Sequence, residues 1–273
     1  MKTKLVAELG INHNGNLLIA KRLIDIAKFA GCHYVKFQKR TVDLVYTKEE
    51  LDKERESPFG TTTREQKYGI EFDKDGYDFI DEYCRQLGIG WFASPWDIES
   101  VEFLKQYNLP YIKIPSALIT NKELVEACGD FGAPVIISTG MSTKEEVEAC
   151  RDWLGDSLEY ILACTSTYPT ADCEMNLLGI STLKEDFPDH KIGFSNHSPG
   201  IQYLIIAAAF GAEMLEFHVT MDRASYGSDQ AASIEPQGVF SIVKHVSNTE
   251  KAIGDGKWTV FDSEEKIKEK LRK

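Results

Sequence analysis

Short apolar runs alternate with longer amphipathic stretches through most of the chain. The amphipathic stretches carry apolar residues every three to four positions and lie at 17–29, 77–87, 98–106, 122–130, 144–154, 201–210 and 236–252. The apolar runs lie at 5–9, 33–37, 90–93, 111–114, 135–138, 160–163, 191–194 and 214–217. Strands that alternate with helices in this way are typical of βα units in a parallel sheet. Eight strands predict an α/β fold, a single-domain (β/α)8 TIM barrel, which needs roughly 250 residues.

Two stretches do not follow this alternation. Residues 40–72, between the second strand and its helix, are long, polar and charged. Long βα loops of a barrel lie over its active-site face, so we interpret this insertion as a lid, with an ordinary surface insertion as the alternative. Residues 253–273 lose the apolar alternation and end in basic residues. We therefore predict a barrel over residues 1–252 and a C-terminal extension or linker over 253–273.

The charge and the cysteines exclude several classes of protein. The formal net charge of −12 argues against nucleic acid as a partner, because phosphate backbones are bound by clustered Lys and Arg. No apolar run reaches the roughly 18 residues that a membrane span requires. The six cysteines form no CxxC pair and no apolar signal segment precedes them. We expect a cytoplasmic protein with reduced thiols that acts away from membranes.

Polar side chains stand where the predicted strands end, and in barrels the carboxyl ends of the strands build the active site. Two of them, Lys36 and Lys113, are lysines within apolar strands, and serines follow several other strands. Ammonium groups, hydroxyls and backbone amides together favour binding of phosphate and carboxylate groups. Phosphoenolpyruvate carries both. The other candidates at strand ends or in the loops that follow are Glu8, Gln38, Ser94, Ser116, Ser138, Ser166, Tyr168, Ser195, His197, His218 and Asp229.

His197 and His218 follow consecutive strands, 21 positions apart in the chain. They should therefore reach the same end of the barrel, where two imidazoles with open positions suit a divalent metal. Glu8 and Asp229 are candidates for proton transfer or for binding sugar hydroxyls. An ordinary loop cap is the alternative for Asp229. Cys164 follows the sixth strand, but no base can be assigned to it from the sequence.

The chain resembles the sialic acid synthase (N-acetylneuraminate synthase) family in a series of short stretches. The matching stretches run from residue 1 to about 252 and read AELGINHNG, YVKFQ, WFASPWD, YIKIPS, VIISTGMS, ACTSTYPT, IGFSNHSPG and EFHVTMDR. The resemblance implies a metal-dependent condensation of phosphoenolpyruvate with the aldehyde of an open-chain sugar such as N-acetylmannosamine, giving a 2-keto-3-deoxy acid and phosphate.

The resemblance also assigns roles to individual residues. His197 and His218 match the metal ligands, with Mn2+ expected and Mg2+ or Co2+ as alternatives. Residues that match positions near the sugar or the reacting carbons are Glu8, Gln38, Tyr168 and Asp229. Residues that match the phosphoenolpyruvate site are Lys36, Ser94, Lys113, Ser116, Ser138 and Ser195.

The chain departs from the family pattern in three places. Leu118 stands where the family commonly has a glutamate, so its proton-transfer role would pass to another acid such as Glu8. Ser166 stands where the motif often has Asn. Most members also continue into an antifreeze-like domain that reaches over a partner's barrel and supplies an arginine to the N-acetyl group, whereas this chain ends near the linker. The acceptor would then lack that group, or the cap would come from another chain or from residues 40–72.

The leading hypothesis is a ulosonic acid synthase that binds phosphoenolpyruvate and a small non-phosphorylated sugar and forms a homodimer, as the family does. One alternative is a phosphoenolpyruvate-dependent synthase of octulosonate or heptulosonate phosphate. Such an enzyme needs additional Arg or Lys for the acceptor phosphate, and the strand ends show few. The other alternative is a non-catalytic sugar-binding barrel of the same family.

Overall fold

Eight parallel strands close into a barrel in the structure, a computed structural model that describes residues 2–272. Two further strands, β3 and β4, form a separate antiparallel pair. The fold predicted from the sequence is confirmed. The strands are β1 (Lys4–Glu8), β2 (Tyr34–Lys39), β3 (Glu54–Ser57), β4 (Gly60–Thr62), β5 (Gly90–Pro95), β6 (Ile112–Ile114), β7 (Val135–Ser138), β8 (Leu158–Cys164), β9 (Lys191–Asn196) and β10 (Met214–His218).

The helices surround the barrel and several begin at side-chain caps. In α8 (Lys144–Leu154), Thr143 and Glu146 form a reciprocal capping box. The helix α9 was not predicted, and its N-cap Leu178 makes no side-chain cap bond. The helices are α1 (Leu17–Ala30), α2 (Val42–Val45), α3 (Lys48–Leu51), α4 (Thr63–Ile70), α5 (Lys74–Leu87), α6 (Ile98–Leu104), α7 (Lys122–Gly129), α8 (Lys144–Leu154), α9 (Gly179–Asp186), α10 (Gln202–Ala209), α11 (Pro236–Ala252) and α12 (Asp262–Leu271).

The barrel strands are buried on both faces, because helices cover the outside and side chains fill the inside. In β7 all four residues are buried, and in β10 all five are. β10 includes the charged Glu216, which is 3% exposed. Buried charges need partners, so Glu216 must lie beside positively charged side chains.

The insertion, residues 40–72, has its own secondary structure: α2, α3, the β3–β4 hairpin and α4. It packs against two loops at the carboxyl end of the barrel. A Cβ at Gly15, which has a φ of +63°, would collide with the carbonyl of Gly69 in α4. The Phe59 ring contacts Tyr226, in the loop after β10, with centroids 6.5 Å apart. The insertion therefore lies at the side of the barrel where the predicted active site is, as its interpretation as a lid requires.

Residues 253–272 lie outside the barrel and include α12. None of the α12 side chains is buried, and Trp258 is fully exposed. Within residues 2–272, no helix is long and apolar enough to cross a membrane. All six cysteines are free.

Candidate active site

A cavity of about 210 Å³ opens at the carboxyl end of the barrel. Most of the residues predicted for the site lie in its wall. The exceptions are Glu8, which contacts Lys36, and Asp229, which contacts His218. The predicted residues in the wall are Lys36, Gln38, Ser94, Lys113, Ser116, Ser138, Ser166, Tyr168, Ser195, His197 and His218.

The floor of the cavity holds a buried network of charges around Glu216. Its Oε1 lies 3.2 Å from Lys36 Nζ, and its Oε2 lies 3.4 Å from Lys113 Nζ. Ser195 Oγ donates a hydrogen bond to the same carboxylate at 3.1 Å. The Ser138 hydroxyl, also buried in the wall, has no partner. We call the two lysines and the Ser138 and Ser195 hydroxyls the anion cradle.

Burial and neighbouring charges act in opposite directions on these groups. Burial disfavours the carboxylate of Glu216, but Lys113 and Lys36 outweigh it and hold its pKa well below the usual value. Burial also disfavours the Lys36 ammonium, yet Glu216 and Glu8 raise its pKa. For Lys113 burial prevails and lowers the pKa, because the attraction of Glu216 offsets only part of it.

Glu8 lies behind the cavity wall and is fully buried. Its Oε2 is 2.8 Å from Lys36 Nζ, and its Oε1 accepts a hydrogen bond from Gln38 Nε2 at 3.0 Å. Burial raises the pKa of Glu8 to about 7, with Lys36 opposing the shift. Leu118, at the position where a family acid is expected, lies in a short 3-10 helix and packs against the core.

The two predicted metal ligands are adjacent, with ring centroids 5.3 Å apart. His197 Nδ1 lies 2.8 Å from the Thr165 carbonyl, which can only accept, so Nδ1 carries the hydrogen and Nε2 has a lone pair in the neutral ring. The Tyr168 hydroxyl occupies that Nε2 position at 2.9 Å. His218 Nδ1 lies 3.6 Å from Asp229 Oδ2.

Burial lowers the pKa of His218 to about 4, and Asp229 offsets only part of the shift. A neutral imidazole is the form that binds metals, so His218 fits a divalent ion as a donor. Burial also disfavours the charged form of His197, but Cys164 and the Thr165 carbonyl outweigh it and raise the pKa, so this ring would have to lose a proton on binding the ion. Among residues 2–272, no group of three or more His, Cys, Asp or Glu side chains has the geometry of a metal site. A divalent ion at this position would have only the two histidines as protein donors and would need water or substrate for the others.

In another part of the cavity wall, Gly140 leaves room for the hydroxyls of Ser116 and Ser166 because it has no side chain. A Cβ at this position would collide with Ser166 Oγ and would lie 2.9 Å from Ser116 Oγ. The Gly140 N–H instead donates to Ser116 Oγ at 3.1 Å. Cys164 lies beside them, with its Sγ 3.7 Å from His197 Nδ1.

Besides the apolar Pro115, Ala117 and Met141, the sequence reasoning assigned no role to two residues of the cavity wall, Glu216 and Trp96. Both follow from the period of two along a strand, which turns alternate side chains to the same face. Glu216 precedes His218 by two positions in β10, and Trp96 follows Ser94 by two at the end of β5. His13, in the loop after β1, is buried against Phe72 with ring centroids 4.3 Å apart and does not line the cavity.

Comparison with known proteins gives consistent matches over nearly the whole chain. The NeuB family profile matches residues 23–258. The human N-acetylneuraminate-9-phosphate synthase is 36% identical over 98% of this chain and 76% of its own length. The N,N'-diacetyllegionaminic acid synthase of Legionella pneumophila is 33% identical over 98% of this chain and 78% of its own. The crystal structure of the N-acetylneuraminic acid synthetase of Leptospira borgpetersenii, in complex with citrate, superposes with a TM-score of 0.86 at 30% identity, over 100% of this chain and 93% of that one.

Proposed function

Because the chain belongs to the NeuB family, we propose that it is an enzyme of nonulosonic acid synthesis, condensing phosphoenolpyruvate with the aldehyde of an open-chain sugar. C3 of phosphoenolpyruvate forms the new bond to the aldehyde carbon, water adds at C2, and the tetrahedral intermediate loses phosphate. The products are a 2-keto-3-deoxy acid and phosphate. The names of the relatives support a sialic, legionaminic or pseudaminic type of product.

The anion cradle is the observation that carries this proposal. Lys36 and Lys113 are 4% and 2% exposed, and both face one cavity at the catalytic end of the barrel. An isolated protein gains little from two buried ammonium groups, because their desolvation offsets their ion pairs with Glu216. A substrate with a phosphate and a carboxylate would bind both lysines and the unpartnered hydroxyl of Ser138.

The cradle would act by holding the phosphate and carboxylate through both bond-forming steps. Charge-assisted hydrogen bonds from fixed lysines place C3 against the aldehyde and stabilise the developing phosphate. Glu8 is the acid best placed to perform the proton transfer expected of the family glutamate, whose position Leu118 occupies in this chain. With its pKa raised to about 7, it can hold a proton near neutral pH, and its carboxylate contacts Lys36, which faces the cavity.

His197 and His218 would hold a divalent metal, with Mn2+ as our proposal. When bound, the ion would supply Lewis-acid polarisation of the aldehyde oxygen. Thr165 fixes the ring of His197 through the hydrogen bond to Nδ1, and Asp229 lies beside Nδ1 of His218. A hydrogen bond such as that from His197 to Thr165 orients a metal-binding imidazole and sets the nitrogen that remains free, whereas His218 Nδ1 has no hydrogen-bond partner. The Tyr168 hydroxyl must leave Nε2 of His197 before that nitrogen can act as a ligand.

Phosphate release tests the proposal. The protein would be incubated with Mn2+, phosphoenolpyruvate and a panel of hexoses and N-acetylhexosamines, with their 6-phosphates included. We expect phosphate release that requires one of the sugars, together with a product whose mass equals that of the sugar plus pyruvate. Lys113→Met should abolish both signals. Absence of release with every acceptor would refute the proposed function.

The cytoplasmic location, the homodimer and a cap supplied by another chain are further parts of the proposal. Six free cysteines fit a reducing compartment. Size-exclusion chromatography with light scattering would measure the number of chains in the particle.

A further inference from the structure

Arg40 is a buried charge that the proposed reaction does not yet use. It follows β2 directly and is 8% exposed. Its Nε has no hydrogen-bond partner, and neither has Nη1, which lies 3.7 Å from Glu71 Oε1. Buried guanidinium groups are costly unless their donors are used, so a structural role alone explains this side chain poorly.

The one close hydrogen bond of the Arg40 side chain holds one end of the Gln38 amide. Arg40 Nη2 donates to Gln38 Oε1 at 2.5 Å, and a guanidinium can only donate. The other end of the same amide donates from Nε2 to Glu8 Oε1 at 3.0 Å and to the Gly10 carbonyl at 2.9 Å. A flipped amide would place its NH2 group against the guanidinium and its carbonyl oxygen against two acceptors. Arg40 at one end and the two acceptors at the other therefore leave Gln38 with one possible orientation, and Arg40 is the partner that anchors its oxygen.

Arg40 also fixes the position of an aromatic ring. Its guanidinium stacks on Trp96 at 4.0 Å from the ring centroid. Trp96 and Gln38 both line the cavity, whereas Arg40 lies behind them. Gln38 lies two residues further along β2 than Lys36, so it stands roughly 6 to 7 Å nearer the mouth of the barrel. Gln38 and Trp96 thus lie above the anion cradle, on the side of the cavity where the acceptor sugar would bind.

Arg40 connects this part of the wall to the insertion. Glu71, at the end of the insertion, accepts a hydrogen bond from the backbone N–H of Arg40 at 3.2 Å. The same carboxylate lies 3.4 Å from Lys39 Nζ, so one acid serves two cations. Because Glu71 is shared, Arg40 is held in place more by Trp96 and Gln38 than by an ion pair of its own.

We propose that Arg40 is a positioning residue for the acceptor sugar, which it controls by orienting the Gln38 amide and the Trp96 ring at the mouth of the cavity. The inference rests on the proposed function and adds to it the residue that links the insertion to acceptor recognition. Gln38 and Trp96 contact the sugar, and Arg40 acts through them.

The test compares Arg40→Met and Arg40→Lys with the wild type in the phosphate-release assay. Arg40→Met should raise KM for the best acceptor of the panel at least tenfold and leave KM for phosphoenolpyruvate within about twofold, because the cradle is untouched. Arg40→Lys lacks the planar stack and the fork of donors, so it should restore less than half of the loss. In a Gln38→Ala background, Arg40→Met should raise the acceptor KM by a smaller factor than it does alone, because only its contact with Trp96 remains to be lost.

Arg64→Met is the matched control, because Arg64 lies in the same insertion, pairs with Asp43 and Asp52 at the surface and is far more exposed. It should leave both KM values unchanged. An unchanged acceptor KM in Arg40→Met, or an equal rise of both KM values, would overturn the inference while the proposed function stands. If the wild type releases no phosphate, calorimetry with N-acetylmannosamine tests the inference separately. The inference then requires that the wild type binds this sugar and that Arg40→Met weakens the binding at least tenfold. Any other result overturns the inference.

Discussion

Replacing Glu216 with glutamine removes the central negative charge of the cradle and almost none of its volume. The carboxylate lies 3.2 Å from Lys36 Nζ and 3.4 Å from Lys113 Nζ. At an effective dielectric constant of about 20, each contact corresponds to about 5 kcal/mol of attraction. The desolvation of the three charges cancels much of this sum, and breaking a buried ion pair from one side costs about 3–5 kcal/mol in measured cases. Lys36 keeps Glu8 as a partner, whereas Lys113 loses its closest anion.

We therefore expect Glu216→Gln to lower the free energy of unfolding by about 3–5 kcal/mol. For a chain of this size that corresponds to a fall in Tm of roughly 6–20 °C, which calorimetry or circular dichroism would measure. Phosphoenolpyruvate should raise the Tm of the variant more than that of the wild type, because its negative charges replace the lost carboxylate.

Glu213→Gln is the control, since Glu213 is exposed and stands just before the same strand. Its effect should stay within about 0.5 kcal/mol. A Tm of Glu216→Gln within about 2 °C of the wild type would refute the electrostatic account of the cradle.

Three further outcomes are expected. His218→Ala should lower the bound Mn2+ measured by elemental analysis and abolish metal-dependent turnover; unchanged metal content would remove His218 as a ligand. Gly140→Ala should raise KM for phosphoenolpyruvate and cost roughly 1–3 kcal/mol of stability, because the new methyl group displaces the serine hydroxyls beside it; normal kinetics would show that those hydroxyls do not bind substrate. A maleimide at pH 7 should label the exposed Cys173 first and should not label Cys128, whose pKa burial raises to about 12, until the protein unfolds. Phosphoenolpyruvate should slow the labelling of Cys164 in the cavity wall, and equal rates would place the ligand elsewhere.

The barrel was predictable because each strand and each long helix carries its own local signal. Apolar runs bounded by polar residues identified all eight barrel strands, and their ends supplied most of the cavity wall. The short α9 was missed because it has only eight residues and buries only Ile180, which leaves too few apolar positions to show a helical period. The helices and hairpin of the insertion were missed because its polar sequence offers no apolar period.

Glu216 and Arg40 were beyond local reasoning for a different reason. A glutamate inside an apolar strand has meaning only when the partners from β2 and β6 are known to converge on it. Arg40 reads as the first residue of a charged loop, and only the three-dimensional arrangement places its guanidinium between Gln38 and Trp96. Non-local pairing of this kind leaves no pattern along a single sequence.

The closure of the barrel between β1 and β10 has a consequence for how the protein is made. The two strands pair over their whole length, from Lys4 with Met214 to Glu8 with His218, and so join residues about 210 positions apart. During synthesis, Lys113 emerges long before Glu216, its ion-pair partner, so the nascent chain carries an ammonium group that it cannot bury at low cost. Lys36 has an earlier partner in Glu8. The site is thus completed late, because the ribosome must release most of the chain before β10 brings Glu216 to Lys113. A folding intermediate that lacks β10 should keep this end of the barrel open and hydrated.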